Sequence, residues 1–382
     1  MRAGGGARRA GEQGGANELE ELATIEVGHG GRLLVGADDV IFRAVTIESL
    51  FAWHSLTPRV SLVTGNGANS VVIADGRDVL LVDTKETGFG SVLRREVEQV
   101  LGRRVTRVVS AHHHTDHAMG NPAFTGDVPV ISQRRARERT MARAARAIVE
   151  MSTTADGGQD PFAAHVTDLR DWACYHGHVR IDDGVRREYE SLLEQGRDAL
   201  RGIADSAQQL AAVAHIAARF APTESFESEC ALRVGGVGVE LHHWGPGHTD
   251  GDVVVSVPSD GVVVASDLVY VGLQPFIDVE AGARTDEWIR RTGEILALCD
   301  GLAGGGGAVV IVPGHGPAAG TEAVTTQRTY FERLREAMDV ARRAGQPRDD
   351  AVRLLLPELP AERRELLATN LGLVFDELAT SP

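Results

Sequence analysis

Residues 112–117 read His-His-His-Thr-Asp-His, which places five potential ligands within six positions. Packing alone does not call for such a cluster, because imidazoles and carboxylates are costly to bury without partners. Neutral histidine nitrogen and aspartate oxygen suit borderline divalent cations such as zinc. Three further donors stand in comparable places: His248 after VELHHWGPG, Asp267 after VVVAS, and His315 after AVVIVPG. Each stands where the chain leaves an apolar run. The glycines and prolines around them (Gly245-Pro246-Gly247, Pro313-Gly314, Gly316-Pro317) supply sharp turns and close backbone approach. If the runs are strands of adjacent sheets, their loops open on one edge and the side chains converge.

The elements that would position these donors follow from periodicity. From about Ile25 to Asp83 short apolar runs alternate with Gly, Asn and Asp, as in RLLV, VIFRAV, RVSLVTG, NSVVIAD and DVLLVD. They predict strands, with a hairpin turn at Asp75-Gly76. Residues 91–101 carry Leu93, Val97 and Val100 on one helical face and end at Gly102, a plausible C-cap. The strand VTRVVSA then runs straight into the histidine cluster. Residues 134–220 turn Arg- and Ala-rich and helical. Tyr189, Leu193, Gly196, Leu200, Ile203, Ala207, Leu210, Ala214 and Ala217 form a seam of period 3.5, which predicts a long helix packed lengthwise on another. Glycines 196 and 202 would allow close approach. A helical hairpin covering the core is the favoured form of this insertion, with a homo-oligomer contact as the alternative. Strands resume at VGVELHHW, DVVVSVP, VVVASD and AVVIVP. From about Thr321 the chain is helical again, with a Tyr330, Leu334, Met338, Ala341 stripe and a second short helix near 361–378. Sheets packed together and covered by helices, an α/β sandwich, are the expected architecture.

The chain has 382 residues, 43% hydrophobic and 24% charged, enough for a sizeable core. Lys+Arg 39 against Asp+Glu 54 gives a net charge of −15, which disfavours nucleic acid as a partner. Lys85 is the only lysine. The dispersed cysteines Cys174, Cys230 and Cys299 argue against a disulfide framework and are read as buried, inert side chains. The first twenty residues lack the apolar run of a secretory signal and are read as a disordered tail. No stretch approaches the roughly 20 apolar residues of a membrane span. A cytoplasmic protein acting on a small molecule, without a membrane partner, is the expectation.

The ordered set His112-x-His114-x-Asp116-His117, Gly247-His248-Thr249, Ser266-Asp267 and Pro313-Gly314-His315-Gly316 resembles the metallo-β-lactamase superfamily. Asn69-Ser70 and Leu81-Val82-Asp83-Thr84 are similar to the family's first core strands. The resemblance spans about Ile25–Thr321 apart from the helical insertion. It implies a four-layer αββα sandwich over 21–321, interrupted at about 134–220 and followed by a helical segment at 322–382. It also implies two metal ions, zinc with iron or manganese as alternatives. His112, His114 and His248 would hold the first, Asp116, His117 and His315 the second, and Asp267 would bridge them. The implied activity is hydrolysis, in which a water shared by the cations attacks a thioester, lactone or amide carbonyl and Asp116 orients it and returns a proton. A histidine at 114 and an aspartate at 267 are similar to the general-hydrolase and glyoxalase II branch. Tyr270 matches a position where lactonases of the superfamily contact the substrate carbonyl.

Other residues receive plainer readings. Asp83 is expected to orient a ligand histidine, and Asp250 and Asp252 to shape the turn after His248. His242 and His243 are read as packing or hydrogen-bonding residues, and His113 as a variable place in the motif. Trp172, Tyr175, His176 and His178 line either a substrate pocket or a packed lid. The rival functions are a mononuclear-iron persulfide dioxygenase using His112, His248 and Asp267, and a β-lactam hydrolase. A nuclease lacks the basic-aromatic patch it would need.

Overall fold

The computed structural model describes residues 23–27, 31–35, 49–153, 160–304, 307–355 and 364–380. The expected N-terminal tail and the run VIFRAV lie outside them. Strands β1 (Ala23–Val27) and β2 (Gly31–Val35) pair as an antiparallel hairpin within a unit of residues 1–44. The second unit spans residues 45–382.

The first sheet begins as an antiparallel meander of β3 (Ala52–Ser55), β4 (Val60–Thr64), β5 (Ser70–Asp75) and β6 (Asp78–Val82). Gly76, at φ +56°, makes the β5–β6 turn that Asp75-Gly76 predicts. Helix α1 (Gly90–Leu101), closed by left-handed Gly102, carries the chain to parallel strand β7 (Arg107–Val109). The short helix α2 (Thr115–Ala118) follows, then β8 (Val130–Gln133), with β9 (Glu224–Phe226) completing seven strands after the insertion.

The insertion consists of α3 (Arg134–Thr153), α4 (Pro161–Asp171), α5 (Ala173–His176), α6 (Asp183–Leu200) and α7 (Ser206–Ala217). The expected continuous seam is real only as far as Leu200. Tyr189, Leu193, Gly196 and Leu200 are buried, while Ala207, Leu210 and Ala214 are exposed. The chain turns at Gly202, φ +77°, and Asp205 caps a new helix whose buried stripe is Val213, Ile216 and Ala217. Gly196 does permit close approach, since a Cβ there would stand 2.2 Å from Ser152 Oγ on α3. Gly202 meets nothing and serves the turn alone.

The second sheet runs β10 (Glu229–Val234), β11 (Val237–His242), β12 (Val254–Val257) and β13 (Val262–Tyr270) antiparallel. Helix α8 (Thr285–Ala303) then crosses over to β14 (Val310–His315), parallel to β13. Periodicity passed over β3, β8, β9 and β10 because these strands are short or lack a run of buried apolar residues. The carboxyl segment forms α9 (Glu322–Arg343), α10 (Arg348–Leu355) and α11 (Arg364–Thr380).

Valines and leucines of both sheets, among them Leu62, Ile73, Val82, Val239, Val255 and Val264, form one core between them. A second core packs α1, α4 and α6 on the outer face of the first sheet. A third packs α8, α9 and α11 on the outer face of the second. The layers are therefore αββα. Near the histidine cluster, Ala118 and Met119 sit in a fourth apolar cluster with Ile148, Leu200, Val213 and Phe220, so the insertion buttresses that loop. Among the described residues no helix is long and apolar enough to cross a membrane.

Gly120, just beyond the cluster, leaves no room for a side chain, because a Cβ would fall 2.0 Å from Thr84 O. Gly120→Ala should lose about 1–3 kcal/mol in chemical denaturation, as overpacked sites do. Gly126→Ala, where nothing lies within 4 Å, should stay within about 0.5 kcal/mol of wild type.

Candidate metal centre

Strand β7 delivers the histidine cluster to the carboxyl edge of the first sheet, and Asp83 holds both ends of the loop. It takes a left-handed backbone, φ +63°, a conformation Asp tolerates better than most residues. Its Oδ1 accepts from Ala111 N at 2.7 Å and its Oδ2 meets His117 Nδ1 at 2.7 Å. His114 caps α2 in an extended conformation, so His112 and His114 precede the helix while Asp116 and His117 ride on it.

The other donors arrive from the second sheet. His248 comes from the β11–β12 loop and His315 ends β14. Asp267 does not end its strand, as periodicity suggested. β13 continues to Tyr270, and a register irregularity around Ser266, φ +48°, turns Asp267 into the site. Asn69 Nδ2 donates to Pro313 O and Gly316 O, pinning the turn around His315.

All seven donors meet. His114 Nδ1 stands 3.1 Å from His112 Nε2 and 3.0 Å from His248 Nε2. Asp267 Oδ2 lies 3.4 Å from His248 Nε2 and 3.7 Å from His112 Nε2. Its Oδ1 faces the other group, 3.1 Å from His117 Nε2 and 3.5 Å from His315 Nε2. Asp116 Oδ2 closes that group, 3.3 Å from His315 Nε2. His112, His114, His248 and Asp267 thus make one set of donors that could hold a cation, and Asp116, His117 and His315 a second.

The chemistry of the donor set fits cations. His248 Nδ1 points at Phe276 O (3.0 Å) and His315 Nδ1 at Tyr175 O (2.8 Å), acceptors that require a proton on those nitrogens. His117 Nδ1 faces Asp83, and His114 Nε2 faces Asp278 Oδ2 at 2.8 Å. With the outer nitrogens protonated, neutral rings turn bare lone pairs inward. His117 Nε2 and Asp267 Oδ1, though close, are both buried without a hydrogen-bond partner, a costly arrangement that a cation would relieve.

Electrostatics point the same way. Burial, reinforced by neighbouring imidazoles, drives His112 well below its usual range, and burial takes His248 down to about 3, so both remain neutral ligands. Burial works to raise Asp267, but the His117 and His315 imidazoles outweigh it and hold the carboxyl well below its usual range. His117 experiences the reverse. Burial opposes its charge, yet Asp267, Asp83 and Asp116 together raise it well above the ordinary value. The cluster of carboxylates demands positive charge.

A cleft of about 500 Å³ opens above Asp116, Asp267 and His315. Trp172, Tyr175 and His176 of the insertion line it, whereas His178 packs away, with Nε2 on Leu50 O. Tyr270 also lines it, but its hydroxyl donates to Asp267 Oδ2 at 2.6 Å. His113 is buried behind the first set, 4.0 Å from Asp278. His242 stacks on Trp244, and His243 bonds Asp252 O. Asp252 accepts from the backbone and hydroxyl of Thr249, and Asp250 pairs with Arg139. The cysteines depart from expectation. Cys299 is buried, but Cys230 is half-buried and Cys174 exposed, because α5 presents only Tyr175 inward.

Sequence reasoning missed Asp278, and the carbonyls of Phe276 and Tyr175, because nothing in their local sequence ties them to distant histidines. It also missed the role of Lys85, which has φ +73° and is wholly buried, its Nζ donating to Val63 O and Ala68 O. Being the one lysine in an arginine-rich chain was a signal available there.

Asp83→Asn and Asp278→Asn each remove a carboxylate behind a histidine while leaving the seven donors in place. Each should weaken zinc binding about 10–100-fold, the usual effect of losing such a support. Competition with a chromogenic chelator measures it, and unchanged affinity in both variants would contradict the arrangement.

A family model, the metallo-beta-lactamase superfamily, matches residues 63–321 and so takes in all seven donors. Among solved structures, a metallo-beta-lactamase from Pontibacter korlensis is similar at 15% identity and a TM-score of 0.47, covering 74% of this chain and 99% of that one. DIM-1 metallo-beta-lactamase exposed to ceftazidime gives 14% identity, a TM-score of 0.47, and coverage of 74% and 97%. TMB-1 gives 14%, 0.46, 74% and 97%. A comparison with curated proteins finds no match. The family model spans more than half of the chain, and the protein belongs to the metallo-beta-lactamase superfamily.

Proposed function

We propose that this protein is a hydrolase with a dinuclear metal centre, zinc being the ion that suits its donors, and that it cleaves an ester-like carbonyl bond of a small metabolite in the cytoplasm. The observation that carries this reading is the two-sided carboxylate of Asp267. Oδ2 faces His112 and His248 while Oδ1 faces His117 and His315, an arrangement suited to two neighbouring cations. Such cations, when bound, polarise a carbonyl and acidify a water enough to make it nucleophilic near neutral pH.

The protein's own residues supply the remaining work. Tyr270 fixes the rotamer of Asp267 through its hydroxyl. Burial first, and the Asp267 charge next, push that phenol well above its ordinary pKa, so it stays a donor. Asp116 lies in the cleft floor, where its carboxylate can orient the attacking water, take its proton and return it to the leaving group. The Phe276 and Tyr175 carbonyls and the Asp83 and Asp278 carboxylates keep the histidines aimed. These contacts hold in place the side chains that would carry the cations, and the cations would supply the stabilisation of charge developing on a carbonyl oxygen. The same features are compatible with thioester, lactone, amide or β-lactam substrates.

Metal analysis of the purified protein, followed by turnover assays on those four classes, tests the reading. Two zinc ions per chain and turnover of one class are expected. His112→Ala and Asp267→Ala should each lower kcat/KM at least about 10³-fold, equivalent to roughly 4 kcal/mol, with circular dichroism unchanged. One iron per chain with oxygen uptake would replace this reading with a dioxygenase, and wild-type rates in either variant would refute the assignment of these residues.

A further inference from the structure

Around the mouth of the cleft the wall is apolar, and its one arginine has no partner among the described residues. Trp172 is 43% exposed, Phe276 41% and Val279 54%. These three are among the few large hydrophobic side chains left exposed in the described residues, and all three line this cleft, with Leu373 of α11 beside them. Apolar surface that collects at the rim of a functional cleft is covered when a ligand's apolar body binds there.

Arg143 of α3 lines the same cleft. The arginines that precede it on that helix are all engaged. Arg134 pairs with Glu227 and Glu138, Arg135 with Glu138, Arg137 donates to Pro222 O, and Arg139 forks onto Asp250. Among the described residues the Arg143 guanidinium has neither an ion pair nor a hydrogen bond. Asp116, Asp267 and Asp278 in the cleft already face histidines. Glu280 at the rim is the one other acid there. A guanidinium offers a planar fork matched to a carboxylate, and it gains most where an apolar wall thins the water around it.

We propose that the cleft selects substrates combining an apolar body with an anionic group, a carboxylate above all, with the body on Trp172, Phe276 and Val279 and the anion on Arg143. The inference takes its word "substrate" from the hydrolase reading but stands on residues of the insertion and of the loop after β13, not on the seven donors. It gives the insertion a role in specificity. Glu280, a like charge in the same cleft, limits affinity for such an anion.

The test is calorimetric binding of phenylbutyrate and of its uncharged amide to the zinc-loaded protein. The wild type is expected to prefer the carboxylate about tenfold or more, the worth of one charge-assisted hydrogen bond. Arg143→Gln should erase most of that preference while binding the amide as before, and Glu280→Gln should enlarge it. A preference kept in Arg143→Gln, as it would be if the anion sat on the cations, overturns the proposal, and so does a wild type that prefers neither ligand. Carboxylate selectivity that depends on Arg143, without turnover of any ester, would remove the hydrolase reading and keep this one. Turnover of neutral esters without that selectivity would do the reverse.

Discussion

Seven side chains with their lone pairs facing inward, five of them buried, are an unstable arrangement without positive charge among them. The rest of the structure is organised around that constraint. Lone pairs crowded at 3.0–3.7 Å around His114 Nδ1 and Asp267 Oδ2 repel one another, and burial denies them the solvent that would screen the repulsion. A proton can serve only one such contact at a time. A cation would satisfy several of these side chains together, and the grouping is one that could hold a metal ion.

Holding the donors there calls for rigidity from every side. The two sheets supply it by packing face to face through a core of valines and leucines, which brings the carboxyl edge of β7 opposite those of β13 and β14. Local strain finishes the aim. Left-handed backbone at Asp83 and Ser266 breaks the alternation of β6 and β13 where a regular strand would point the side chain elsewhere. Four of the five histidines then find an acceptor for the outer ring nitrogen on another segment: His315 on Tyr175 of the insertion, His117 on Asp83, and His248 and His114 on Phe276 and Asp278 of the loop after β13.

Three of those supports, Tyr175, Phe276 and Asp278, also line the cleft. Tyr175 belongs to the insertion and Phe276 to the loop after β13, and both line the cleft while presenting their carbonyls to His315 and His248. The helices added to the sandwich are therefore part of the centre as well as a wall around it. Apolar packing of Ala118 and Met119 against α3 and α7 ties the histidine loop to the same insertion.

The sequence by itself was enough to single out the histidines and aspartates that meet at this site, the two-sheet architecture and the turn at Gly76. Donors packed into six residues and strands with clear apolar runs leave a signal that does not depend on what packs against them. Asp83 as a support for a ligand histidine was legible for a similar reason, standing at the end of a strand that feeds the site. Periodicity misjudged α6 and α7 because a seam of period 3.5 continues in the letters past Gly202, while the backbone turns there and a new cap starts a new face. Only the tertiary structure decided that Asp278 backs His114, that two backbone carbonyls set the orientation of His248 and His315, and that Arg143 and Trp172 share one cleft. Those relations join residues 30 to 160 positions apart, roughly, through contacts that local propensity does not encode, since they exist only once the sheets and helices have closed on one another.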